Sequence, residues 1–340
     1  LTAPRFPAII AVYLPVMPLH RLLRRLAWTA VLVSAGSACL CAQIKVTGLD
    51  ATLDATTFYR ETTWDNLHGL KRLTTPLVNL SFVTDSGFRL SQRDETDRSL
   101  PTSLRLAGLQ PADFQEIADA VHTAFVAELK AQGVDVMPYE PLAVNPGFQE
   151  LAYQAPRSGK EQDVPQTYQT IAGISGARKT MTLVGHHCPW VESFMLANFL
   201  PATRLTRELE ATLPIVSFLV EFVTYSSERT TTYDWREFLP AGHPPEAPPL
   251  RARPQIFLSA GTAAFLTPDG QTATLTLTTA IGYEHAFVAG IRRTRGRDRE
   301  ERKGGSYEVT VDPAAYKQAV IDVLKAQVVM IARKLAAGRH

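Results

Sequence analysis

The chain has 340 residues, and 45% of them are hydrophobic, enough apolar material for a sizeable buried core. Three cysteines are too few for a disulfide framework, and 35 basic residues against 33 acidic ones give no broad positive field for nucleic acid.

In chain order, residues 1 to 42 come first and are expected to be upstream sequence plus a signal peptide, with the true start at Met17. Arg21, Arg24 and Arg25 form a basic start, Leu26 to Ala38 is an apolar stretch too short to span a bilayer, and small residues precede Gln43. Cleavage after Ala42 is the simplest expectation, with "GSAC" at Gly36 to Cys39 as an alternative lipoprotein box that would acylate Cys39. Arg5, Arg21, Arg24 and Arg25 precede the cut and no acidic residue does, so 31 of the 35 basic residues remain against 33 acidic ones, a balance of about −2. Cys188 is then the lone thiol of the mature chain. An exported bacterial protein of the periplasm or outer membrane is expected, touching a membrane only through its leader or a lipid anchor.

Residues 43 to 74 carry no clear periodicity and are expected to be irregular or extended, with a strand at "QIKVTGL". Residues 75 to 340 are expected to form a single α/β domain, a mixed sheet with packed helices and long loops. "PLVNLSFVTDSG" predicts a strand ending in turn residues, and "LSQRDETDRSLPTS" a polar loop. In the next segment Pro111 opens a helix whose apolar face is Phe114, Ile117, Ala118, Val121, Phe125 and Leu129, and Gly133 ends it. "VDVMP" predicts a short strand, residues 138 to 178 a long surface connection, "TMTLVG" another short strand and "PATRLTRELEAT" a helix. "LPIVSFLVEFVTYS" is the most hydrophobic strand and belongs at the sheet centre. "LPAGHPPEAPPLRARP" is too rich in proline for regular structure, whereas "QIFLSAGTAAFL" and "ATLTLTT" flank the turn "TPDGQ" as a hairpin. "SYEVTV" aligns Tyr307, Val309 and Val311 on one face. Asp312 then caps a last helix that starts at Pro313 and points Tyr316, Ala319, Val320, Val323, Leu324, Ile331 and Leu335 inward.

Three constellations carry chemistry. "GHHCPW" sets His186, His187 and Cys188 in a row, side chains that suit zinc or copper. Adjacent residues point in different directions, so further ligands are needed; His68, His122, His243 and His285 are the histidine candidates. The bland alternative is a turn after a strand, with Cys188 a small buried hydrophobe. "IRRTRGRDREERKGG" sets Arg292, Arg293, Arg295, Arg297, Arg299, Arg302 and Lys303 against Asp298, Glu300 and Glu301, a surplus of positive charge able to meet phosphate or carboxylate, or else a solvated hairpin tip. "TYDWREF" places Tyr233, Trp235 and Phe238 among charges, as a binding surface or a strand end tucked under a loop. Phosphate-loop, G-x-S-x-G, H-E-x-x-H, EF-hand and C-x-x-C patterns are all missing, and no cofactor is expected.

The strand "LVNLSFV", the helix ending in "AELKAQGVDVMP", the strand "PIVSFLVEFV", the hairpin at "TPDGQ" and the closing helix resemble, in their order over roughly residues 75 to 340, the curli-secretion-assembly and TolB-amino-terminal type of envelope domain. The step F-x-x-x-L-x-x-x-G-x-x-V falls on Phe125, Leu129, Gly133 and Val136. The resemblance implies an envelope accessory protein, often a lipoprotein, that binds an envelope protein or an anionic envelope polymer and catalyses nothing. The alternative is a metal-binding protein or metal-dependent enzyme centred on His186, His187 and Cys188.

Overall fold

The computed structural model describes residues 44–46, 55–90, 101–153, 161–163, 174–187, 196–226, 251–283, 285–294 and 306–338. All of these belong to one compact unit, Leu40–His340; the other unit, Leu1–Cys39, lies outside them. In chain order the strands and helices are β1 (Ile44–Val46), β2 (Tyr59–Thr62), β3 (Arg72–Leu73), β4 (Leu77–Leu90), β5 (Pro101–Ala107), α1 (Pro111–Ala131), β6 (Asp135–Val136), α2 (Tyr139–Ala143), α3 (Pro146–Tyr153), β7 (Glu161–Asp163), β8 (Ile174–Val184), α4 (Leu196–Glu208), β9 (Leu213–Ser226), β10 (Arg251–Leu266), β11 (Thr272–Leu277), β12 (Ile281–Tyr283), β13 (Val288–Thr294), β14 (Ser306–Val311) and α5 (Pro313–Ala337). Among the described residues, twelve strands form one mixed sheet with the main path β1-β12-β10-β9-β4-β5-β14-β13. β11 and then β2 continue outward from β10, β8 and then β7 from β4, and β3 pairs with β6 separately. The protein is thus the mixed α/β fold that its sequence pattern predicts.

β9 runs centrally, parallel to β4 and antiparallel to β10, as its hydrophobic run requires. Alternation sorts its side chains. Val216, Phe218, Val220 and Phe222 join Val78, Leu80 and Phe82 of β4 in the main core, under α1 and α5. Leu213 and Ile215 join Leu77 in a second cluster with Leu142 of α2, Phe148 of α3 and Leu205 of α4. The sheet is therefore covered on both faces at this end.

Two strand-to-helix units stand side by side. β5 leads into α1 and β14 into α5, and the strands pair in parallel. The helices run parallel too, since Lys317 near the start of α5 bonds Asp113 and Glu116 near the start of α1, at 3.2 and 2.6 Å, while Arg333 meets Glu128 at 3.2 Å. Both carboxylates raise the Lys317 pKa, chiefly through the hydrogen bond to Glu116. Gly108 leaves β5 at φ +97, where an added Cβ would stand 2.8 Å from the Val311 carbonyl oxygen, so only glycine lets β5 end this close to β14. Asp312 caps α5 by accepting from the Ala314 and Ala315 amides at 2.9 and 3.1 Å.

Several expectations change in extent. β4 continues through "TDSG" to Leu90, and β5 begins inside the expected polar loop, because a strand with one polar face needs only alternate apolar residues. The connection expected over residues 138 to 178 holds α2, α3, β7 and the first part of β8, and its helices bury Leu142, Phe148 and Leu151. α4 starts before its expected first residue and carries Pro201 inside. β10 begins at Arg251, within the proline-rich stretch, and its register shifts between Pro254 and Phe257. Residues 55 to 74 form β2, β3 and two 3-10 turns, and their Phe58, Tyr59, Trp64, Leu67 and Leu73 belong to the main core.

Candidate functional site

The opening of "GHHCPW" closes on the first half of α1. β8 ends at Val184, and Gly185–His187 form a 3-10 turn in which His186 takes the left-handed conformation, φ 53 and ψ 35. Gly185 lies so close to the helix that an added Cβ would stand 2.5 Å from Cβ of His122 and 3.0 Å from the Ala118 carbonyl oxygen. Asp119 holds the turn from one helical step away: its Oδ1 accepts from the His186 amide at 2.6 Å and from Gln115 Nε2 at 2.7 Å. Gln115 Nε2 also donates to the Val184 carbonyl at 2.9 Å. The His186 ring, exposed, shares a hydrogen bond of 3.0 Å between its Nε2 and the Thr123 hydroxyl.

Beneath it His122 is 7% exposed, its ring meeting that of His186 in a T-shaped contact. Thr75 Oγ1 lies 3.5 Å from its Nε2, and among the described residues its Nδ1 has no hydrogen-bond partner of normal geometry. Burial lowers the His122 pKa to about 4, helped by the neighbouring His186 and opposed by a hydrogen bond with the Pro76 backbone and by Asp119. The imidazole is therefore neutral near pH 7. A buried neutral histidine of this kind can accept or donate one hydrogen bond or ligate a metal.

The polar groups of this cluster mostly hold the turn. One Asp119 oxygen serves two donors, and His186 Nε2 is engaged by Thr123. Among the described residues no group of three His, Cys, Asp or Glu side chains is placed to hold a metal ion. The His187 side chain and the whole of Cys188 lie outside the described residues, as do His243, Cys39, Tyr233, Trp235 and Phe238. His68 ends the turn Trp64–Leu67 and lies 3.6 Å from Asp65 in that turn, and His285 stacks on Tyr283, so each has a partner close by in sequence. Of the basic run, Arg292 and Arg293 stand exposed on β13, while Arg295, Arg297, Arg299, Arg302 and Lys303 lie outside the described residues. Arg292 Nη2 donates to Glu308 Oε1 on β14 at 2.9 Å.

His122 enters the sequence analysis only as a candidate ligand without spacing, and Asp119, Thr123 and Gln115 not at all. The available signal is helical phase: His122 follows Ala118 by four residues, on the buried face of α1.

No protein-family model, no curated protein and no solved structure matches the chain.

Proposed function

We propose that this is a non-catalytic accessory protein of the bacterial cell envelope, periplasmic or associated with the outer membrane, that binds another envelope component. The observation that carries the reading is the edge of the sheet. Among the described residues the terminal strands β1, β2 and β7 have three, four and three residues, whereas β13 has seven and presents Arg292 and Arg293. Guanidinium groups on such an edge suit carboxylate or phosphate. The secretory leader expected from residues 17 to 42 and the resemblance of the element order to envelope domains support the location, and the missing catalytic motifs support a binding role. The histidine cluster agrees with it, because most of its hydrogen bonds hold a turn.

The test is co-purification from bacterial envelope fractions with the wild-type chain and with an Arg292→Glu/Arg293→Glu double variant. A partner retained by the wild type, released by salt and lost with the variant is the expected result. Turnover of a substrate by the purified protein, with no partner retained, overturns the reading. So does stoichiometric zinc or copper that a His186→Ala/His187→Ala double variant no longer holds, which would establish the metal-centred alternative.

A further inference from the structure

We propose that β13 accepts an extended acidic segment of a partner polypeptide as an added strand, with Arg292 and Arg293 selecting its charge. This rests on the binding role proposed above and names the chemistry of the partner.

An edge strand offers a row of backbone donors and acceptors, and proteins usually keep such edges short. β1, β2 and β7 follow that habit, and β13 departs from it. Its register with β14 shifts once, between Val288 and Gly290, and then runs unbroken from Gly290↔Thr310 to Thr294↔Ser306. Past that irregularity the strand is a regular template. A Cβ added at Gly290 would meet nothing within 4 Å, so the described chain leaves one face of the strand uncovered there.

Charge then decides what can join. Arg292 and Arg293 are neighbours in a strand and point to opposite faces, so an added strand meets a cation on either side of the sheet. Among the described residues the Arg292 guanidinium spends one donor on Glu308 and is otherwise exposed, leaving donors for a second carboxylate. Two copies of this chain meeting edge to edge would oppose these arginines, which disfavours self-pairing. An acidic strand removes that repulsion, so the same residues reject one partner and admit another. Backbone pairing supplies affinity and the cross-strand ion pairs supply selectivity.

The experiment uses the full chain and a fluorescent synthetic peptide as long as β13, rich in Val with two adjacent Glu residues at its centre so that one carboxylate lies on each face. Controls are the same peptide with Lys for Glu, and two forms of the acidic peptide N-methylated at alternate residues. The acidic peptide is expected to bind, to weaken as salt rises, and to lose roughly tenfold in affinity to the Arg292→Glu/Arg293→Glu variant. The Lys peptide should not bind, and one of the two N-methylated forms should fail, because strand addition uses backbone donors on one edge of the peptide only. Hydrogen exchange at the β13 amides should slow in the complex. Equal binding by both N-methylated forms overturns strand addition and leaves charge attraction, and with it the envelope-binding role, standing. Binding of an anionic polysaccharide to the arginines when neither peptide binds also overturns the inference, in favour of a polymer partner. Failure of every probe overturns it as well, and the envelope co-purification then decides the broader role separately.

Discussion

The imidazole of His186 stands edge-on to that of His122, ring centroids 4.7 Å apart and planes at 84°, so the exposed histidine lies against the buried one. A turn at the end of β8 is thereby fastened to α1 by a group whose charged form it disfavours. The arrangement gives the fold a dependence on acidity.

In the folded chain His122 titrates at about 4, below its ordinary 6.5. Between those values the unfolded chain binds the proton and the folded chain does not, so stability is complete above 6.5 and is lost as pH falls towards 4. At about 1.4 kcal/mol for each pH unit separating the two values, the loss from this residue approaches about 3 kcal/mol. Denaturant midpoints measured across that interval should fall with acidity, and the fall should be shallower in His122→Gln. An unchanged slope in the variant would assign the acid sensitivity elsewhere.

Gly185→Ala should destabilise the protein by about 1–3 kcal/mol, the usual cost of forcing a group into a filled site. The new methyl would meet the Cβ of His122 and a helix carbonyl, atoms fixed to the backbone of α1 that cannot swing aside. Chemical denaturation reads the loss, and faster exchange of the His186 amide should show that the turn has lifted from Asp119. Wild-type stability and wild-type exchange together would show that the turn is not tightly seated.

Tyr59→Phe removes a hydroxyl that donates to Gln327 Oε1 at 2.8 Å in the main core, where Gln327 has no exposed surface. Burial pushes the phenol pKa well above its ordinary range, and the same burial leaves the amide oxygen without water as a substitute. The expected cost is about 1–3 kcal/mol, seen in thermal or urea unfolding. A Tyr59→Phe/Gln327→Leu double variant should recover part of it, because the stranded acceptor is then gone.

Asp312→Ala should cost about 1 kcal/mol, since the carboxylate satisfies two amides at the start of α5. Asp312→Asn should lose less than Asp312→Ala. Equal losses would mean that something other than the cap sets the effect.

Helices α1 and α5 are legible in the sequence because the signals agree there: proline in the first turn, an apolar face at helical spacing, and a boundary residue at an end. β9 and β14 are legible for a similar reason, one as a continuous apolar run and the other by strict alternation. The helices of residues 139 to 153 were obscured by Pro138, Pro141 and Pro146, which resemble loop residues although proline is also a favoured helix starter. The polar ends of β4 and β5 were hidden because pairing along a sheet can hold residues whose own preference is for turns. Least legible was the contact of His186 with His122. It joins residues from two distant elements, and no local spacing encodes it.

β4 bonds β8 along one flank, while the other flank is shared, first by β9 at Leu77–Phe82 and then by β5 at Asp85–Arg89. The ribosome makes β5 soon after β4 but β9 much later. Any nascent chain that stops short of Leu213 therefore carries half of its central strand with an open bonding edge beside Val78, Leu80 and Phe82. Order of synthesis and order of assembly part company at this point, and a truncated product should aggregate before it can fold.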